Sequence, residues 1–284
     1  MNTIVKIKQM QEMAQSWKRQ GFSVGLVATM GYLHNGHKSL IERAREENDK
    51  VVVSIFVNPI QFCPGEDFDR YPRDIDHDTR ICIAASIDAL FSPDTAEMYP
   101  SDFFTFVDIR ELGDRLCGAR RPGHFRGVCT VISKLFNIIT PDRTYLGEKD
   151  AQQLAIIRRM TENLNYKTEI IPCPTVREAD GLAMSSRNSY LSTEQRAAAL
   201  VISKSLGIAQ NLLLNGERDA LKIKETVTHE ISKEPLATID YVDAVDPLTL
   251  KSIDIVDDSV LVAAAVYIGG IRLIDNFTLK VDIL

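Results

Sequence analysis

The stretch V-G-L-V-A-T-M-G-Y-L-H-N-G-H, residues 24–37, decides how the chain is read. Val24 to Ala28 is a short apolar strand, two glycines follow, and two histidines at spacing three lead into a helical pattern over Lys38 to Glu47. In such a strand, loop and helix, the free N–H groups and positive dipole end of the helix favour an anion, and Gly31 and Gly36 allow close backbone approach. His34 and His37 can then face one ligand. Hydrogen bonds from them to phosphate oxygens, formed as charge builds up, would each be worth ~100-fold or more in rate, roughly 3 kcal/mol. A helix cap with two surface histidines is the alternative for this loop taken alone.

Working outward, Ile7, Met10, Ala14 and Trp17 recur at helical spacing and Gly21 follows as a stop. Beyond the loop come a β-branched strand at Val51 to Val57, a helix at Asp74 to Ala85 and a strand at Ala89 to Phe91. Helices at Thr130 to Ile139 and Ala151 to Leu164 bracket a strand at Arg143 to Leu146, and another strand follows at Lys167 to Ile171. This βαβ rhythm predicts an α/β, Rossmann-like parallel sheet domain over residues 1–175. The texture then changes. Ser192 and Gln195 match a capping box that opens a helix to about Leu214, and Asn215 and Gly216 end it. A helix near Asp219 to Ser232 precedes three runs, Thr238 to Val245, Ser259 to Tyr267 and Arg272 to Thr278, the last two joined by a Gly269-Gly270 hairpin signal. Residues 176–284 are expected to form a smaller C-terminal α+β lid domain bearing a short antiparallel sheet.

Composition bounds the function. The 284 residues exceed the usual single-domain size, and 45% hydrophobic with 25% charged residues describes an ordinary globular protein. A net charge of -6 supplies no basic field for nucleic acid, so an anionic ligand must be held locally. The five cysteines form no C-x-x-C pair, which points to a reducing, cytoplasmic setting. Residues 1–20 lack the apolar run of a signal peptide, and the longest nearly apolar stretch, Val260 to Ile271, is far shorter than the ~20 residues a bilayer needs. Neither export nor a membrane partner is expected.

Ligands of parallel sheets sit beyond the carboxyl ends of the strands, and three further unusual segments begin there. In S-I-F-V-N-P-I-Q-F, residues 54–62, the chain turns at Asn58-Pro59 and presents Gln61, an amide able to read a hydroxyl or a carboxylate; a structural turn is the alternative. In Gly147-Glu148-Lys149-Asp150, running on to Gln152 and Gln153, Lys149 could balance phosphate charge while Asp150 binds a ribose hydroxyl or helps position magnesium. Acidic residues also suit a plain helix start, so a solvated charge run is the alternative. In P-T-V-R-E-A-D-G-L-A-M-S-S-R-N, residues 174–188, two hydroxyls and a guanidinium are a good set for a triphosphate and its leaving pyrophosphate, against the alternative of an interdomain loop. The basic turn R-R-P-G-H-F-R-G, residues 120–127, adds Arg121 and Arg126, which either approach phosphates or lie on the surface.

With T-M-G-Y-L-H-N-G-H, S-I-F-V-N-P-I-Q-F, R-P-G-H-F-R-G-V, G-E-K-D-A-Q-Q-L and the 174–188 segment in this order, the chain resembles the pantoate-beta-alanine ligases of the H-x-G-H nucleotidyltransferase-like superfamily. A lone H-x-G-H is common to many adenylyl and cytidylyl transferases; five motifs spread over most of the chain are far more specific. The resemblance implies that ATP and (R)-pantoate form pantoyl adenylate and diphosphate, after which beta-alanine displaces AMP to give pantothenate. It implies Mg²⁺ and a homodimer as well. By motif match, Met30-Gly31-Tyr32-Leu33-His34-Asn35-Gly36-His37, Gly147-Glu148-Lys149-Asp150, Val176 and Met184-Ser185-Ser186-Arg187 would contact ATP. His37 is the family's proposed proton donor, and His34, Lys149 and Arg187 share the charge neutralisation. Gln61 and Gln153 would bracket pantoate, Gln61 also lying near beta-alanine, with Asn58 and Arg121 close by. The chain departs from the family pattern at Ala28, usually proline, at Asn35, usually glutamate, and at Leu146, commonly phenylalanine. His77 stands where an acid can occur, which makes Asp78 the expected metal carboxylate. Two other readings are a transferase that stops after moving AMP or CMP to its acceptor, and a nucleotide sensor without turnover. The intact His34, His37, Lys149 and Arg187 speak against the second.

Overall fold

The structure, a computed structural model, describes residues 1–281. β1 (Asn2–Ile4) precedes α1 (Ile7–Arg19), whose Met10, Ala14 and Trp17 are buried at the expected spacing. β2 (Val24–Thr29), α2 (Asn35–Glu47), β3 (Lys50–Ile55), α3 (Ile75–Ala84) and β4 (Ala89–Phe91) follow. After α4 (Thr95–Met98) and α5 (Leu116–Arg120) come α6 (His124–Ile139), β5 (Arg143–Gly147), α7 (Ala151–Asn163) and β6 (Glu169–Cys173). The six strands form one parallel sheet in the order β1-β4-β3-β2-β5-β6, as the alternation predicts. Leu26, Val27 and Val51 to Val53 are all buried, because helices cover both faces and leave no solvent side for alternation to mark.

Several elements of this layer differ from expectation, among them β1, the unpredicted short helices α4 and α5, and the start of α6. β1 has three residues, too few to show a period, and is defined only by pairing with Ala89 to Phe91 across the chain. α6 starts at His124, six residues before the expected start, and buries Phe125, Gly127 and Val128. A glycine and flanking arginines disguise its first turn as a basic loop.

β2 lies between β3 and β5. The chain leaves β2 on one side and later returns on the other, so the crevice of this sheet opens at the carboxyl ends of β2 and β5. The H-x-G-H loop and the Gly147 to Asp150 turn emerge there.

The remaining layer comprises α8 (Thr193–Ala198), α9 (Leu200–Leu214), α10 (Ala220–Ile231), and β7 (Ala237–Val245), β8 (Ser259–Ile268) and β9 (Ile271–Lys280) in an antiparallel sheet. The capping box is present: Ser192 Oγ accepts from Gln195 N at 3.2 Å and Gln195 Oε1 from Ser192 N at 3.0 Å. The single helix expected after it is interrupted at Ala199. Thr193 to Leu214 is long and apolar enough to cross a bilayer by length and composition alone. Here its Ile202, Leu206, Ala209 and Leu213 are buried in one core with residues of α10 and the small sheet. The opposite face of β8, through Leu261 and Ala263, packs with Leu116 and Ala151 of the larger layer, so the two layers meet beside the crevice.

Candidate active site

Past β2 the backbone turns at Gly31 with φ +85°, a conformation favouring glycine. A Cβ there would lie 2.9 Å from Ile55 Cγ2 and 3.0 Å from Asp78 Oδ2. Asp78, buried on α3, accepts from the N–H groups of Tyr32 at 2.8 Å and Leu33 at 2.7 Å, one on each oxygen. This corrects the expected metal role of Asp78. Its carboxylate is turned to the loop backbone and does not line the cavity.

His34 is the N-cap of α2. Its Nδ1 accepts from Gly36 N at 3.1 Å, and the Nδ1 of His37 accepts from His34 N at 3.3 Å. With each Nδ1 lone pair taken by a backbone N–H, the single proton of each neutral ring resides on Nε2. The ring centroids are 4.0 Å apart. Burial, and then the positive charge of Lys149, pushes His34 down to about 4. Burial followed by His34 and Lys149 pushes His37 down to about 3. At neutral pH both are therefore uncharged Nε2–H donors. The cap and the ligand-facing pair, alternatives in the sequence, are one arrangement.

Past β3, Asn58 is buried and braces the turn: its Nδ2 donates to Gln61 Oε1 at 2.9 Å and Gly127 O at 3.1 Å, while its Oδ1 accepts from Tyr99 Oη at 2.9 Å. Both amide protons are thus used within the protein. Gln61 Nε2 reaches Met30 Sδ at 3.1 Å, linking this turn to the histidine loop. Helix α6 presses close behind. A Cβ on Gly127 would lie 2.4 Å from Ile60 O and 2.6 Å from Gln61 Cα, so only glycine fits.

The loop after this turn carries two acids that the sequence reading did not single out. Glu66 takes the Arg121 fork, Nε at 2.6 Å and Nη2 at 2.7 Å, and Asp67 takes the Arg187 fork, Nε at 2.9 Å and Nη2 at 2.8 Å. Burial opposes ionisation of both acids, but hydrogen bonding and charge from the two arginines outweigh it, and both carboxyls titrate below their ordinary range. Arg187 also lies over the Tyr71 ring, 5.8 Å from its centroid. The only sequence signal for these pairs is an acidic dipeptide following Pro64-Gly65.

Past β5, Lys149 is held beside Asp150 at 3.9 Å, and Asn276 of β9 donates to the carbonyls of Glu148 at 3.2 Å and Lys149 at 2.7 Å. Gln152, buried, instead supports α5, donating to Leu112 O and Arg115 O and accepting from Cys117 N. The 174–188 segment is tied to β9 by Arg177 and Asp275 at 2.7 and 3.0 Å, and Ser186 Oγ donates to Tyr32 O at 3.2 Å.

These elements enclose a cavity of about 930 Å³. Met30, His34, Gly36, His37, Gly147, Lys149, Asp150, Val176 and Met184 to Arg187 line it, as do Asn58, Gln61, Arg121 and Gln153. Gly31, Tyr32, Leu33, Asn35 and Glu148 do not: the first three fold back toward Asp78, and the last two are exposed. Ser54 lines the cavity with its buried hydroxyl unpartnered among the described residues.

A space this large at the switch point of a parallel sheet, with donors on several walls and its acids mostly paired, defines a nucleotide-dependent α/β enzyme. Residues 2–278 match the family model described as pantoate-beta-alanine ligase, and the chain belongs to that family. It is 60% identical to pantothenate synthetase of Clostridium acetobutylicum over 98% of this chain and 99% of that one. It is 54% identical to the protein of the same name from Clostridium botulinum strain Langeland, over 99% and 100% of the two chains. Among solved structures, the pantothenate synthetase of Thermus thermophilus superposes with a TM-score of 0.93 at 42% identity, covering 98% of this chain and 99% of that one. The Francisella tularensis pantoate-beta-alanine ligase, complexed with beta-gamma ATP and beta-alanine, gives 0.79 at 35% identity over 98% and 97%. The family assignment makes the chain a ligase of pantothenate biosynthesis and agrees with the five-motif resemblance.

Proposed function

We propose that the cavity makes pantothenate from (R)-pantoate, beta-alanine and ATP in two steps with a bound pantoyl adenylate between them. The pantoate carboxylate attacks the α-phosphorus of ATP and diphosphate leaves; the beta-alanine amine then attacks the acyl carbon and AMP leaves. The observation that carries this reading is the pair of neutral histidines. Their Nε2–H groups can donate to phosphate oxygens as charge develops, with no imidazolium to discharge first. Lys149 and Arg187, the latter paired with Asp67, add positive charge, and Ser185 adds a short donor beside them, while the Ser186 hydroxyl is given to Tyr32 O. Met30 and Gln61, joined to each other, place the pantoate wall against the histidine loop, with Gln153 and Arg121 completing it. Asn58 acts through Gln61. Magnesium carried by the triphosphate would screen its charge, and Asp150, a cavity acid with only a 3.9 Å contact to Lys149, fits a role beside it.

The same reading places nucleotide and pantoate in residues 1–175, with residues 176–284 as the lid; separate hydrophobic cores on the two sides support that division. It also makes the protein a cytoplasmic homodimer. Five free cysteines suit a reducing compartment, and Phe104, 83% exposed, with Phe106 offers an apolar surface that a second copy would cover.

The test is a pulse of ATP and pantoate without beta-alanine, followed by beta-alanine. About one equivalent of diphosphate per site is expected first, with AMP and amide appearing together afterwards. Diphosphate release that waits for beta-alanine rules out the adenylate.

A further inference from the structure

Glu66 and Asp67 are neighbours on one loop, yet they bind arginines from different parts of the cavity wall. Arg121 lies between α5 and α6, and Arg187 lies in the segment after β6. All four residues line the cavity. Each carboxylate takes the Nε and Nη2 edge of its guanidinium, the edge that an incoming carboxylate or phosphate would use for a two-point contact. Arg121 is further committed through Nη1, 3.0 Å from His124 Nε2. An anionic ligand that takes the Nε–Nη2 edge of either arginine must therefore exchange with an acid already there.

We propose that Glu66 and Asp67 are specificity-determining residues, internal anions that yield the two arginine forks only to ligands bringing anionic groups to both. An acid tethered beside its arginine competes like a solute at an effective concentration in the millimolar range. A lone small carboxylate or phosphate at lower concentration does not overcome it. Because the acids are adjacent, releasing one loosens the loop that holds the other, so a triphosphate at Arg187 and a hydroxy-acid carboxylate at Arg121 assist each other. Discrimination arises from an opposing interaction built into the site as well as from attraction to the right ligand. The inference rests on the reading above that Arg121 faces pantoate and Arg187 faces the triphosphate.

The experiment uses the intact enzyme and the variants Glu66→Gln, Asp67→Asn, Glu66→Asp and Asp67→Glu. Lactate serves as a competitor against pantoate and inorganic diphosphate as a competitor against ATP. Glu66→Gln is expected to lower Ki for lactate roughly 3- to 10-fold and KM for pantoate by a smaller factor, and Asp67→Asn to do the same for diphosphate against ATP, so that discrimination falls. The charge-keeping variants should stay nearer the parent values. Constants that rise or stay unchanged while kcat falls would show that the acids only support the arginines, and overturn the proposal. Equal shifts in amide and charge-keeping variants overturn it too, because charge is then not the cause. Arg121→Gln separates the two levels of argument. If it leaves KM for pantoate unchanged, the site reading fails. If it raises that KM while Glu66→Gln lowers nothing, only the present inference fails.

Discussion

His34 and His37 close the first turn of α2 reciprocally: His34 Nδ1 accepts from Gly36 N, and His37 Nδ1 accepts from the backbone N of His34. The same two hydrogen bonds that cap the helix select the tautomer of both rings. Structural and chemical demands thus fall on opposite nitrogens of each imidazole, which is why a helix cap can also be a pair of phosphate donors.

Replacing His37 with alanine should reduce kcat by about 100-fold or more through loss of the Nε2–H donor. Loss of the cap should lower folding stability by only about 1 kcal/mol. Steady-state AMP formation and urea unfolding on the same preparation check both numbers. Activity lost only in proportion to unfolding contradicts the chemical role.

Acid should weaken the fold through its histidines. Unfolded histidines take up protons near the ordinary value of 6.5, whereas folded His34, His37 and His124 do so at about 4, 3 and 4. The folded state therefore binds fewer protons in between. Its stability is fully present above about pH 6.5 and falls toward about pH 4, by at most about 1.4 kcal/mol per pH unit for each ring. Unfolding free energies measured near pH 7.5, 6 and 5 test this; a flat profile means that the rings titrate freely.

Asp78→Asn should destabilise the protein by about 1–3 kcal/mol, because one of the Tyr32 and Leu33 N–H groups would then face an amide NH₂. KM for ATP should rise as the loop loosens. A change in magnesium dependence with stability and KM intact is the opposite result, and would restore the metal role.

Gly127→Ala should cost about 1–3 kcal/mol and raise KM for pantoate more than KM for ATP, since the added carbon pushes on Ile60 and Gln61. Parallel KM measurements decide this, equal effects on the two substrates being the contrary finding.

Phe104→Asp should convert the proposed dimer to monomer in sedimentation at micromolar concentration, since it puts charge on an exposed apolar surface. An unchanged sedimentation coefficient removes that surface from the interface.

The alternating layer was legible because Val24 to Ala28 and Val51 to Val53 carry their strand character locally, as do Ser192 and Gln195 their cap. The five motifs located about half of the cavity wall for a related reason: each lies at a strand end or a helix start, where local sequence dictates geometry. Partners distant in the chain were not legible. Asp78 reaches back to Tyr32 and Leu33 from another helix, and an aspartate there reads equally well as a metal ligand or as surface. Glu66 and Asp67 resemble any solvated loop acids until folding brings Arg121 and Arg187 to them. β1 is a strand only because β4 is beside it.

Asn276 has a bearing on synthesis as well as on binding. Ribosomes deliver the parallel sheet complete with Cys173, but the side chain that clasps the Glu148 and Lys149 carbonyls follows about a hundred residues later, roughly 5–20 s at ordinary elongation rates. During that interval the nascent polypeptide has its strands and histidines but no finished turn around Lys149. A product truncated before residue 271 would lack Asn276 and with it both of these hydrogen bonds to the turn.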